Sequence, residues 1–154
     1  MLPIFLFAIA IVCTLAHISL RQKWKHKNET FLLYTIFFNV GIMGLMAAYA
    51  HLFMGEKIAK EIGWLPGSPF QSEIAMANLS YGVLGILCLI FRKGFWSATV
   101  IGYSVLLIGA LSVHLVQYQY GDIAPYNIGP FVWFNDLCIP IILLFSLYLY
   151  LKDA

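Results

Sequence analysis

The sequence predicts an all-α, polytopic integral membrane protein with five transmembrane helices, and three observations support this prediction. Of the 154 residues, 62% are apolar and only 10% are charged, whereas a soluble domain has roughly 45–50% and 25%. The apolar residues are gathered into runs that are each near the ~20 residues a helix needs to cross a bilayer. Basic residues cluster at one end of these runs, as the positive-inside rule expects. The length allows a single transmembrane domain covering the whole chain.

The five predicted helices follow one another along that domain. They run approximately over Leu2–Leu20, Thr30–Phe53, Gln71–Phe91, Phe95–Tyr118 and Phe131–Leu151. The first run lacks a positively charged start and a small-residue cleavage site, so we interpret it as an uncleaved helix and not as a signal peptide. Helices two to five are expected to form a bundle, with helix one packed peripherally.

The positions of Lys and Arg predict how the helices are oriented. Basic residues occur in the first connection, in the third connection and after the last helix: Arg21, Lys23, Lys25, Lys27, Arg92, Lys93 and Lys152. Loops rich in Lys and Arg stay on the cytoplasmic side. The N-terminus is therefore expected outside and the C-terminus in the cytoplasm, in a bacterial inner membrane.

Composition and motifs argue against several classes of function. The net charge of +2 is small, and no basic patch is interleaved with aromatic residues, which argues against nucleic acid as a partner. The cysteines Cys13, Cys88 and Cys138 fall in three different runs without a CxxC pair, so no disulfide framework is expected. The sequence has no nucleophile motif, phosphate-binding loop or dinucleotide fingerprint. Whether the protein is an enzyme stays undecided, and the lipid bilayer is its expected surrounding.

Four ionisable residues lie at the outer ends of four different helices. His51 ends the second helix, Glu73 begins the third, His114 lies near the end of the fourth and Asp136 begins the fifth. A group that can carry charge inside a bilayer normally faces a partner or a water-filled cavity. We therefore expect a shared ligand-binding site near the extracytoplasmic side. Its supporting residues are expected to be two amides, Asn78 and Asn135.

Small residues on two helices indicate which faces meet. One face is Gly41, Gly44, Ala48 and His51 on the second helix, and the other is Asn78, Gly82 and Gly85 on the third. Residues three and four apart share a helix face, and small residues at this spacing let two membrane helices approach closely. The pattern predicts that His51 points at protein and not at lipid.

Three interpretations of His51, Glu73, His114 and Asp136 remain open from the sequence. Two imidazoles and two carboxylates suit Zn, Fe or Mn, and helix bundles build metal sites from such side chains. The same residues suit a pocket for a small molecule or ion, with or without proton-coupled transport, because apolar surroundings and nearby imidazoles shift the pKa of carboxyl groups. The third interpretation is structural: His–Glu and His–Asp pairs that fix the register of the helices.

Residues 73–87 carry a pattern that resembles the signature of a known family. They match E-x-x-x-A-N-L-x-x-G-x-L-G-x-L, which is typical of short bacterial and archaeal multi-pass membrane proteins with no assigned function, and Gly102, His114 and Asn135-Asp136 match as well. A weaker similarity to DoxX-like membrane proteins implies a quinone-linked oxidoreductase as an alternative. An accessory subunit of a membrane complex is a further alternative. Because five short helices make a narrow bundle, a transport path would favour a homo-oligomer.

Overall fold

A computed structural model of the protein describes residues 1–21 and 26–153, and within these ranges the regular structure is entirely helical. In chain order the described helices are α1 (Leu2–Arg21), α2 (Lys27–Phe53), α3 (Gly55–Ile62), α4 (Phe70–Leu87), α5 (Gly94–Gln119), α6 (Pro125–Ile128) and α7 (Val132–Asp153). The prediction of an all-α protein is therefore confirmed. The end of the molecule that carries α3 and α6 is called the outer end, following the predicted orientation.

Four of these helices, α1, α2, α5 and α7, are long and apolar enough to cross a membrane, which fits a multi-pass membrane protein. The third predicted span corresponds to α4, which is not among them. Its 18 residues include Gln71, Glu73 and Asn78, which lower its hydropathy. A fifth crossing stays a prediction, as does the orientation of the termini. Lys23 and Lys25, on which that orientation partly rests, lie outside the described residues.

The glycines of α2 and α4 bring these two helices into backbone contact. A Cβ atom built on Gly44 would stand 2.7 Å from the backbone nitrogen of Gly82 and 2.8 Å from the carbonyl oxygen of Asn78. A Cβ atom on Gly85 would overlap the backbone of Gly41. We call this contact the glycine seam, formed by Gly41, Gly44, Gly82 and Gly85. The two small-residue faces expected from the spacing therefore meet.

The second packed region joins α5, α7 and the inner half of α2. Trp96, Val100, Ile139 and Leu143 are fully buried there. The indole Nε1 of Trp96 donates a hydrogen bond to the carbonyl oxygen of Cys88 at 2.8 Å, so the turn between α4 and α5 is fixed to the base of α5. Beyond this turn α4 and α5 contact each other little. They leave a space that widens toward the outer end.

Two of the membrane-length helices contain π-helical segments, Ile36–Ile42 in α2 and Val132–Cys138 in α7. The second segment holds Asn135 and Asp136. Pro140 has no amide hydrogen, so the regular α-helical hydrogen bond to the carbonyl oxygen of Asp136 cannot form at this point. Such widened turns are common at functional sites, because they change the direction in which side chains leave the helix.

Candidate functional site

A cavity of about 930 Å³ lies between the outer parts of α2, α4, α5 and α7. Ile58 and Ile62 of α3 and Trp64 of the following loop cover it from the outer end, and Met1 closes one side. Most of the lining is apolar. Small-molecule pockets in proteins are typically about 300–1,000 Å³ and mainly apolar, with a few polar groups that orient the ligand. In size and lining the cavity falls within the range of such pockets.

Five of the six residues predicted for the site line this one cavity: His51, Asn78, His114, Asn135 and Asp136. They come from all four surrounding helices. The sequence placed these residues at similar depth in their helices, and in the structure they border the same cavity.

The sixth predicted residue, Glu73, is not brought to the others. Its side chain is exposed and shares the outward face of α4 with Met76, Ser80 and Val83, which are also exposed. These positions follow one another at three, four and three residues, so they form a single helix face. Glu73 lies in the first turn of α4, where the positive end of the helix dipole favours a carboxylate.

His114 is the centre of a buried polar network that also contains Asn127, Asp136 and Asn135. Its Nδ1 lies 2.7 Å from Oδ1 of Asn127. Because an amide oxygen only accepts, Nδ1 carries the hydrogen, and Nε2 is left to face Asp136. The distance from Nε2 of His114 to Oδ2 of Asp136 is 3.8 Å. The other oxygen of Asp136, Oδ1, accepts a hydrogen bond from Nδ2 of Asn135 at 2.7 Å.

Both members of the His114–Asp136 pair are buried. His114 is 9% exposed and Asp136 is 3% exposed, so neither an isolated carboxylate nor an isolated imidazolium is well hydrated here. With one proton the pair is either imidazolium and carboxylate or imidazole and carboxylic acid, and both forms are neutral in sum. A separation of 3.8 Å exceeds a direct hydrogen bond. A single hydroxyl group placed beside the pair can bond to both atoms.

His51 stands at the opposite side of the cavity. Its Nδ1 lies 2.7 Å from Oε1 of Gln71, and Gln71 is only 6% exposed. His51 also lines a polar crevice on the outer surface, together with Lys57 and Lys60. The His51–Gln71 pair therefore stands between the apolar cavity and the polar outer surface.

The sequence did not single out the two amides that hold the imidazoles, Asn127 and Gln71. Asn127 belongs to α6 in the last outer connection. Because it is not on the same helix as His114, helical spacing does not predict their contact. Gln71 had a usable signal, since it opens the third apolar run at the depth of His51. Tyr126 of α6 also lines the cavity. Burial, with a smaller contribution from the Glu61 carboxylate, raises the pKa of the Tyr126 phenol, so this hydroxyl stays un-ionised at neutral pH.

The expected metal site is not assembled in the part of the chain that the structure describes. There, no group of three or more His, Cys, Asp and Glu side chains lies close enough together to hold a metal ion. His114 and Asp136 form a pair, while His51 bonds to Gln71 and Glu73 faces outward. The arrangement gives no support to a four-ligand site for Zn, Fe or Mn.

Comparison with known proteins gives one match. The model of a family described as a family of unknown function, DUF6790, matches residues 1–154. No curated protein and no solved structure matches the chain. The match agrees with the expectation of a family that has no assigned function.

Proposed function

The chain belongs to DUF6790, a family of unknown function, and we propose that it is a multi-pass membrane protein that binds a lipid-soluble small molecule in the outer cavity. One observation carries this proposal: five polar residues, singled out by their depth in the sequence, line one cavity that is otherwise mainly apolar. With the predicted orientation, this cavity belongs to the extracytoplasmic half of the bilayer. His51, Asn78, His114, Asn135 and Asp136 are the proposed ligand-binding residues.

The character of the lining favours a small molecule over an ion. Cations such as Ca²⁺ are held by six to eight oxygen ligands, whereas the polar groups here are spread over opposite walls of a space of about 930 Å³. The long apolar surface between them suits hydrocarbon. The ligand is therefore expected to be amphipathic, with its polar end at the His114–Asp136 pair.

The walls of the cavity favour access from the bilayer. Met46, Phe70 and Val113 line the cavity and are still 45%, 45% and 46% exposed. The apolar lining thus continues to the sides of the molecule, which face the hydrocarbon of the bilayer in a membrane. Gly109 of α5 also lines the cavity, and a Cβ atom built on it would meet nothing within 4 Å. A lipid-soluble molecule can reach the cavity between α4 and α5 without crossing a polar barrier.

Blocking the cavity from Gly109 tests the proposal. The protein is purified in mild detergent, and bound small molecules are extracted and identified by mass spectrometry. We expect a lipid-soluble molecule to co-purify with the unmodified chain and to be lost from the Gly109→Trp variant, because the indole occupies the cavity.

The matched control is Gly94→Trp. Gly94 begins α5, has equally open surroundings and does not line the cavity. The Gly94→Trp variant should retain the ligand. Equal amounts of bound molecule in Gly109→Trp and Gly94→Trp, with both proteins folded, would contradict the proposal. Absence of any bound molecule from the unmodified chain, even after incubation with total membrane lipid, would also count against it.

A further inference from the structure

Asn135 is a described cavity residue with a fully buried polar atom that has no hydrogen-bond partner. It is 5% exposed, and its Nδ2 donates to Oδ1 of Asp136 at 2.7 Å. When Asp136 is a carboxylate its oxygens only accept, so the amide nitrogen of Asn135 is the atom that faces it. Its Oδ1 is buried, and no donor in the described part of the chain reaches it. A buried acceptor without a donor is costly, so such an atom calls for a partner.

The neighbouring His114–Asp136 pair has the complementary property. Nε2 of His114 and Oδ2 of Asp136 lie 3.8 Å apart, too far for a direct hydrogen bond, so with one proton on the pair that proton is available to an acceptor placed beside them. The polar end of the cavity thus contains an unpaired acceptor, Oδ1 of Asn135, which reaches the cavity only after its side chain rotates, and a donor, the His114–Asp136 pair when it holds one proton. A group that both donates and accepts satisfies both at once. A hydroxyl group does this, whereas an ether or ketone oxygen leaves Oδ1 of Asn135 without a donor.

The charges that line the cavity narrow the chemical class of the ligand further. Among the described residues that line the cavity there is no Lys and no Arg. A carboxylate or phosphate would therefore lie beside Asp136 without a Lys or Arg side chain to balance it. An ammonium group would be balanced only if the His114–Asp136 pair lost its proton. A neutral hydroxyl leaves the charge of the pair unchanged, at the smallest electrostatic cost.

Resting on the proposed function, we propose that the ligand is a neutral lipid-soluble alcohol or phenol whose hydroxyl bonds to Asn135 and to the His114–Asp136 pair. The hydroxyl donates a hydrogen bond to Oδ1 of Asn135 and accepts one from whichever member of the His114–Asp136 pair carries the proton. Oδ1 is itself covered by protein atoms, so the contact requires a rotation of the Asn135 side chain. The hydrocarbon part extends along the apolar wall past Gly109 toward the bilayer.

Matched photoreactive probes test this assignment in the full chain. The protein is placed in phosphatidylcholine nanodiscs with one of three probes that share an alkyl-diazirine chain and end in a hydroxyl, a methyl ether or a carboxylate. After illumination, the labelled peptides are mapped by mass spectrometry. We expect the hydroxyl probe to label the cavity about tenfold more than the ether at equal membrane concentration, because the ether leaves a buried acceptor unpaired. The carboxylate is expected to label the cavity less than the hydroxyl.

Two variants locate the effect on the lining. In Asn135→Leu the acceptor is lost, and the hydroxyl and ether probes should label equally. Asn39→Leu is the matched control, because Asn39 is likewise a buried amide whose Oδ1 no donor in the described residues reaches, but it does not line the cavity. It should keep the preference for the hydroxyl. If Asn135→Leu does not fold, the comparison of probes on the unmodified chain still decides the question.

The outcomes separate this inference from the proposed function. Equal labelling of the cavity by hydroxyl and ether in the unmodified chain would overturn the inference, with Oδ1 of Asn135 then satisfied by internal water only. Stronger labelling by the carboxylate would overturn it in favour of an anionic ligand. In both cases a cavity ligand remains. If none of the three probes labels the cavity and the labelled peptides are the same in the unmodified chain and in Gly109→Trp, the result would contradict the proposed function as well.

Discussion

The two faces of α4 show opposite ways of meeting a neighbouring helix. On one face, Gly82 and Gly85 press against the backbone of α2 in the glycine seam. On another, Ile74 and Asn78 border the cavity, and α5 stays apart. In a bilayer, helix association depends on close packing, because lipid tails are as apolar as the side chains they replace. The seam therefore holds α4 in place, and this allows the cavity wall to remain without a direct neighbour.

Glycine has a different role in each region. Gly44 is required by contact, since a Cβ atom there would stand 2.7 Å from a backbone nitrogen. Gly109 lines the cavity and has open space where a side chain would be. The same residue type thus closes one interface and opens another. Substitutions at these two positions should have very different consequences.

The largest effect is expected at the seam. Gly44→Leu drives a side chain into the backbone of α4 and should lower the free energy of unfolding by about 3 kcal/mol or more. The measurement is unfolding in mixed micelles, followed by circular dichroism. Gly109→Leu makes the same change in open surroundings and should remain folded. Equal destabilisation by the two substitutions would contradict the distinction between a closed seam and an open cavity.

The next effect is expected at the polar end of the cavity. Asp136→Ala removes the acceptor for Nδ2 of Asn135 and leaves His114 without its buried partner. We expect a loss of about 2–3 kcal/mol in the free energy of unfolding, because two buried polar groups lose their partners. Asp153→Ala is the control, since Asp153 lies exposed at the end of α7. If both substitutions cost the same, the buried network does not stabilise the fold.

A smaller effect is expected where the last outer connection meets α5. Asn127→Ala removes the acceptor for Nδ1 of His114, which lies 2.7 Å away. A double-mutant cycle with His114→Ala should give a coupling energy of about 1 kcal/mol, measured by unfolding. The cycle of Asn127→Ala with His51→Ala should give about zero, because His51 is bonded to Gln71 instead. Similar couplings in both cycles would mean that α6 acts on the whole outer end and not on His114.

Much of this fold follows from spacing in the sequence. The recurrence of Gly41 and Gly44 on α2, and of Gly82 and Gly85 on α4, fixes one face of each helix, so their contact is predictable. The depth of His114 and Asp136 is predictable in the same way, because rise per residue converts position into height. These quantities depend only on local helical geometry.

The remaining features depend on tertiary contacts that no local pattern encodes. The glycine seam sets how α4 is rotated about its own axis. Successive side chains along a helix point about 100° apart around that axis. Ile74 therefore lines the cavity while Glu73, one position earlier, faces outward. Asn127 reaches His114 through the fold of a loop. The cavity itself arises because α4 and α5 stay apart, and the sequence of neither helix states this.

Glu73 gives the smallest expected effect and the test that bears most directly on the predicted four-residue site. Because its carboxylate is exposed on the outward face of α4, Glu73→Gln should change the free energy of unfolding by about 0.5 kcal/mol or less. Ligand retention should also be unchanged, measured beside Asp136→Asn as the buried counterpart. Loss of the ligand in Glu73→Gln would instead place this carboxylate in a working site. Since Met76, Ser80 and Val83 share its exposed face, such a site would require a second copy of the chain packed against α4, and the expected homo-oligomer would then be part of the binding mechanism.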